Sequence, residues 1–229
     1  VRWGARLAAV RAEGDALRAT LDDGSRWQAD TVAMGYGFLP ANELLRLLGC
    51  RHRYDPGRGY LITERDGQCR TSIPQVLAVG DCCGLGGAQA AEAEGAIAGA
   101  AAVGRPPESQ ALRVLARQRR FQAALWRMFA APRSGLAQAD GGTTVCRCEE
   151  VELATIDSAL AAGAASLAAI KRATRAGMGR CQGRYCGPLL AGLLHERTGR
   201  ALDELAFFAP RPPVRPVPLG AIATAEERP

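Results

Sequence analysis

Two close pairs of cysteines hold the densest chemistry in this chain. Cys146 and Cys148 form a C-x-C pair, and after 32 intervening residues Cys181 and Cys186 form a C-x4-C pair. Thiolate is a soft ligand that selects zinc, copper(I) or iron-sulfur clusters, and a four-thiolate set suits either one tetrahedral zinc or a 2Fe-2S cluster. Structural zinc draws mainly on C-x2-4-C turns, so the C-x-C arm favours the cluster. The flanking residues point the same way. From Lys171 to Cys186 the cations Lys171, Arg172, Arg175, Arg180 and Arg184 occur with no acid among them. An oxidised all-thiolate 2Fe-2S cluster is anionic, and nearby cations and backbone N–H donors stabilise it and set its potential. Gly177, Gly179, Gly183 and Gly187 would let the backbone approach the sulfurs and take positive φ. Pro188 is placed to open a helix over Pro188 to Glu196, whose free N–H groups would face an anionic site.

The run CRCEEV, followed by IKRATRAGMGRCQGRYC, resembles the bacterioferritin-associated-ferredoxin-like 2Fe-2S domain at the C-terminal end of certain flavoprotein large subunits. Those subunits form the hydrogen cyanide synthase, opine oxidase and D-hydroxyproline (dye-linked proline) dehydrogenase group. The likeness spans residues 143 to 209. It implies that Cys146, Cys148, Cys181 and Cys186 hold the cluster.

The elements before the thiols carry a second signal. Val76 to Val79 is a continuous apolar run, as expected for a strand buried on both faces of a parallel sheet, and it ends at Gly80 and Asp81. A glycine-rich turn then leads into an Ala-rich helix from Ala88 to Ala102. Ligands bind open α/β sheets beyond the carboxyl ends of strands, where an acid can accept hydrogen bonds from ribose or ribityl hydroxyls. The helix N-terminus at Gly87, Ala88 and Gln89 offers N–H groups to a phosphate or a flavin carbonyl. The stretch TSIPQVLAVGD resembles the second FAD motif of flavoproteins with two dinucleotide-binding domains. The resemblance implies that Asp81 meets the ribityl chain, that Gly80 permits close approach, and that Gly87, Ala88 and Gln89 lie by the flavin; it also admits NAD(P).

No G-x-G-x-x-G occurs, so the pyrophosphate cradle of such flavoproteins is missing from this sequence. Either the chain is the C-terminal portion of a longer subunit or a partner completes the FAD site, and the chain alone is expected to bind FAD weakly or not at all. Before the apolar run, strands are expected over Arg6 to Val10, Ala16 to Leu21 and Arg26 to Ala33, then a helix from Asn42 to Leu48. After it, Ser109 to Ala131 reads as a helix with an apolar stripe at Val114, Phe121, Leu125 and Met128 and an Arg-rich remainder. Pro132 to Gly142 reads as a hinge. In the thiol region, helices are expected over Glu149 to Leu160 and Ser166 to Arg172, with little sheet. The proline-rich Pro210 to Pro218 should be extended polyproline II.

Composition removes other classes. The 229 residues carry a net charge of +6, but Lys171 is the only lysine and no basic stripe with interleaved aromatics appears, which argues against nucleic acid. The most apolar stretch, Gly84 to Gly104, is broken by Glu92 and Glu94 and is no membrane span. The chain opens without a signal segment, so a reducing cytoplasm is expected, with Cys50, Cys69, Cys82 and Cys83 as small, partly buried side chains. His52 and His195 stand alone, and no residue has the setting of a catalytic base.

The expected fold is α/β, part of a two-dinucleotide-binding-domain flavoprotein followed by a small all-α 2Fe-2S domain. Its expected segments are residues 1–105, a helical linker 106–142, the cluster domain 143–209 and a tail 210–229. The resemblance implies an electron-transferring oxidoreductase subunit that works with an FAD-containing catalytic subunit on an amine or imino acid such as proline, an opine or glycine. It also admits a small ferredoxin-like partner. A non-catalytic ferredoxin-like or zinc-stabilised binding module is the alternative.

Overall fold

The computed structural model describes residues 2–35, 37–129, 136 and 139–224, and the chain divides into units Val1–Phe38 and Leu39–Pro229. In the first unit, β1 (Leu7–Glu13), β2 (Ala16–Leu21) and β3 (Arg26–Ala29) form an antiparallel meander in the order β1-β2-β3. A two-residue Gly14-Asp15 turn sets Glu13 opposite Ala16, and Gly14 at φ 58° supplies the positive dihedral such a hairpin needs. The third strand ends at Ala29, short of the expected Ala33, after Leu17 pairs with that residue.

The second unit begins with α1 (Glu43–Leu47) and a hairpin of β4 (His52–Asp55) and β5 (Tyr60–Thr63). The sequence reading does not include that hairpin, although Asp55-Pro56-Gly57 is a turn signal. The apolar run Val76–Val79 is not a strand of a parallel sheet. A strand needs flanking strands to take its N–H and C=O groups, and here the segment makes only an isolated antiparallel bridge between Arg70 and Leu77, with Ala78 donating to the Cys69 carbonyl at 2.9 Å. A 3-10 turn over Gly80–Cys83 follows, and then α2 (Ala88–Ala102). Alanine is the best helix former, and Ala90, Ala93, Ile97 and Ala101 recur at helical spacing to bury one stripe.

That stripe packs on α3 (Ser109–Met128) through Ala111, Val114 and Leu115. The expected α3 stripe is corrected: Leu115 is the buried residue of the helix, while Phe121 and Met128 are exposed. Toward its other end Trp126 meets the Tyr60 ring edge-on, with centroids 6.2 Å apart, and lies under Arg58, while Phe121 and Met128 point away from both contacts. The expected hinge residues 132–135, 137 and 138, and residues 130 and 131 of the expected helix, lie outside the described residues.

The thiol region is not all helical. A short ribbon of β6 (Thr144–Cys146) and β7 (Val151–Glu152) precedes α4 (Leu153–Ala161), so the helix expected from Glu149 starts later. Ribbon pairing spends the backbone groups on either side of Cys148. Then come α5 (Leu167–Thr174) and α6 (Cys186–Thr198). Ile156, Ile170 and Leu190, one from each helix, are fully buried with Cys146 and Cys186 in one core. The tail bends over residues 212–215 instead of running straight as polyproline II, and α7 (Leu219–Ala223) follows it.

Candidate metal centre and nucleotide-facing turn

The four thiols expected to share a centre arrive from four places. Cys146 ends β6, Cys148 lies two residues on in the loop to β7, Cys181 lies in the turn after α5, and Cys186 is the first residue of α6. The fold brings them together in two couples. The Cys146 and Cys186 thiols are interacting neighbours in the core, and Cys148 and Cys181 form the second, more open couple. Cys181 is also close enough to Cys186 for their charges to interact. Among the described residues, no three His, Cys, Asp or Glu side chains form a cage for a single ion.

Electrostatics divides the couples. Burial, with the Cys146 sulfur and then Cys181 beside it, pushes the Cys186 thiol up to about 12. Burial also raises Cys181, but N–H donation from Tyr185, the Cys148 thiol and the N–H groups of Gly183 and Arg184 outweigh it and hold that thiol below its usual value. The N–H of Gly177 points at Cys146 Sγ at 3.5 Å. The helix N-terminus also reaches the centre, because α6 begins on Cys186 itself, before the expected Pro188.

The glycines do part of the expected job, with Gly177 and Gly183 at φ 84° and 77° and N–H groups turned to the sulfurs, and they do a second one as well. A Cβ on Gly179 would collide with Cys148 Cβ, so this residue lets the backbone touch a thiol-bearing side chain. At Gly177, however, a Cβ would sit 2.7 Å from the Phe208 ring; at Gly183 it would be closer still, and at Gly187 it would be 3.1 Å away. Three glycines therefore form the seat of one aromatic ring, with Lys171 Nζ 5.4 Å from its centroid. Phe208 was missed in the sequence; the only signal was a Phe207-Phe208 pair beyond the last helix of the motif. The cations are likewise partly engaged elsewhere: Arg175 pairs with Glu149 at 2.9 Å and Arg184 with Glu43 at 3.2 Å. Backbone N–H groups, more than these arginines, face the sulfurs.

At the other candidate site, Gly80 has φ 74°, and a Cβ there would lie 3.1 Å from Ala91 Cβ. The close approach it permits is that of α2. Asp81 Oδ1 accepts from the N–H groups of Gly86 at 2.9 Å and Gly87 at 3.0 Å, closing the turn that presents the α2 N-terminus. Gly87 caps that helix, while Ala88 and Gln89 are exposed in its first turn; the Gln89 side chain accepts from Gln118 of α3. Glu94 anchors the turn from beneath. It takes two bonds from Arg65, at 2.8 and 2.7 Å, and one from the Gly80 N–H at 2.9 Å. An acid on the Ala90-Ala93-Ile97 stripe was the sequence signal for it. His52 is buried, its ring nitrogens on the Cys50 carbonyl at 2.7 Å and Thr63 Oγ1 at 2.9 Å, and so is structural.

Comparison with known proteins gives two family matches. Residues 1–95 match the family model for pyridine nucleotide-disulphide oxidoreductase, and residues 141–226 match that for the sarcosine oxidase A3 domain. An opine oxidase subunit of Rhizobium meliloti is 36% identical over 209 residues, covering 88% of this chain and 45% of that protein. The hydrogen cyanide synthase subunit HcnB of Pseudomonas aeruginosa is 36% identical over 218 residues, 89% of this chain and 46% of its own length. The chain thus spans about half the length of the curated relatives it matches. The crystal structure of L-proline dehydrogenase from P. horikoshii superposes with a TM-score of 0.69 at 24% identity, over 92% of this chain and 43% of that one, which shows a shared fold. No helix among the described residues is long and apolar enough to cross a membrane.

Proposed function

We propose that this chain is the C-terminal part of a cytoplasmic FAD-dependent oxidoreductase subunit that oxidises an amine or imino acid of the proline, opine or glycine type and passes electrons through a 2Fe-2S centre to partner subunits. The observation that carries this reading is the meeting of four thiols in two couples, Cys146 with Cys186 and Cys148 with Cys181. Two couples suit two bridged irons, each taking two thiolates, better than one tetrahedral ion. The residues fit such a group chemically: N–H donors aim at Cys146 and Cys181, and Gly179 lets the loop lie against Cys148. When bound, a 2Fe-2S cluster supplies one-electron transfer, and the chain's own part is to hold the four sulfurs and shield the inner two from water.

For a flavin the fit is partial. The α2 N-terminus offers donors at Ala88 and Gln89, and Gly86 and Gly87 shape the approach to it. Asp81 has already committed one carboxylate oxygen to those glycines, leaving the other to accept from a ligand hydroxyl. The match of residues 1–95 to an oxidoreductase family supports this assignment, and the kinship with the opine oxidase and hydrogen cyanide synthase subunits supports the substrate class and the need for partners.

Anaerobic addition of iron and sulfide to the purified chain tests the centre. The expected result is the visible absorption of a 2Fe-2S cluster and, after dithionite, its EPR signal, with Cys146→Ser and Cys181→Ser each removing most of the colour. A colourless protein binding one zinc per chain would replace the electron carrier with a zinc-stabilised module.

A further inference from the structure

Four cysteines lie outside the thiol centre, and two of them are adjacent in sequence and in contact. Cys82 Sγ is 3.8 Å from Cys83 Sγ at the end of the 3-10 turn, Cys83 fully buried and Cys82 partly open to solvent. We propose that Cys82 and Cys83 form a reversible dithiol–disulfide couple that reacts with low-molecular-weight disulfides of the glutathione class, a redox site separate from the four-thiol centre.

The setting assigns a role to each sulfur. Cys82 is the attacking group because it alone of the two is reachable. The Cys83 thiol, hydrogen-bonded to it, holds the Cys82 thiol down to about 7 against the effect of burial, and Arg65 adds to the lowering. The same contact and burial push Cys83 far above the usual thiol range. An attacking thiol with a pKa near ambient pH is the most effective one. In the first step Cys82 thiolate attacks one sulfur of the small disulfide, forms a mixed disulfide and expels one thiolate. In the second, Cys83 loses its proton and attacks Cys82 Sγ, expelling the remaining small thiol. The two cysteines are oxidised by two electrons, and one disulfide becomes two thiols.

Closing the bond brings the sulfurs from 3.8 Å to about 2.05 Å, so the turn must give. Gly80 is pinned by Glu94 and α2, but Gly84 at φ 138° follows the pair and a Cβ added there would meet nothing nearer than 3.8 Å, so the backbone can give on that side. Neighbouring Cα atoms lie about 3.8 Å apart, below the span that relaxed disulfides prefer. Strain of this kind makes a disulfide easy to reduce, which is what a reversible couple needs.

Trypsin isolates the pair. Pro106 protects the Arg105 bond, so Cys82 and Cys83 fall together in the peptide Thr71–Arg113, which holds no other thiol. The full chain is exposed to increasing ratios of oxidised to reduced glutathione, alkylated with iodoacetamide, digested and weighed. The expected product is an unalkylated peptide two hydrogens lighter than the dithiol, returned to the doubly alkylated form by dithiothreitol. In Cys83→Ala the peptide should instead keep one glutathione on Cys82, and in Cys82→Ala the peptide should keep none. A doubly alkylated wild-type peptide at every ratio would overturn the assignment. So would a wild-type glutathione adduct that Cys83 never displaces, or linkage of either cysteine to Cys50 or Cys69.

Discussion

Adding one methyl group at Gly177 should disturb the thiol region twice over, and the structure allows the two costs to be separated. Gly177 has φ 84°, where an L-residue loses about 1–2 kcal/mol. Its Cβ would also stand 2.7 Å from Cε2 and Cζ of Phe208, an overpacking that typically costs about 1–3 kcal/mol. Gly163 is the control: its φ is 94°, but nothing lies within 4 Å of its Cβ position, so Gly163→Ala carries the backbone cost alone. The expected losses are about 2–5 kcal/mol for Gly177→Ala and about 1–2 kcal/mol for Gly163→Ala. Leucine lacks the two ring atoms that clash, so Phe208→Leu combined with Gly177→Ala should destabilise by less than the sum of the single changes, with a coupling of about 0.5–3 kcal/mol. Amide hydrogen exchange by mass spectrometry on α5 and α6 peptides reads the local stability directly, each 1.4 kcal/mol being about a tenfold change in protection. Equal losses at Gly163 and Gly177, with additive behaviour in the double variant, would refute the idea that these glycines exist to seat Phe208.

Glu94→Gln leaves the Arg65 guanidinium mostly buried without its bidentate partner, and removal of one member of such a pair costs about 3–5 kcal/mol; urea unfolding measures it, and a loss under about 1 kcal/mol would remove the anchoring role. Burial is the main reason the His52 ring resists protonation, with Arg46 reinforcing it and the Cys50 carbonyl and Glu204 opposing it. Because the folded pKa is depressed, His52 costs nothing above about pH 6.5, while below that the unfolded chain binds the proton first and stability falls. The urea midpoint should therefore drop on acidification, less steeply in His52→Gln; parallel acid limbs would count against this. Ser166 Oγ accepts from the Ala169 N–H at 3.1 Å, so Ser166→Ala should cost about 1 kcal/mol in thermal unfolding and Ser166→Asp much less.

The sequence by itself determined the features that depend on local pattern. The three-strand meander follows from short runs parted by Gly-containing turns, and α2 from its run of alanines with a glycine in front, down to its observed limits of Ala88 and Ala102. The nearness of the four thiols was legible because their paired spacing is written along the chain. Tertiary structure decided what depends on neighbours. Val76–Val79 has the composition of a central strand, but a strand exists only where other strands take its hydrogen bonds, and here it has one bridge. The α3 stripe at Phe121 and Met128 has helical period, but a period says only that a face exists, not what covers it. Glycines 177, 183 and 187 showed that something must come close. That the neighbour is the ring of Phe208, arriving from beyond α6, is a long-range contact that no local pattern encodes.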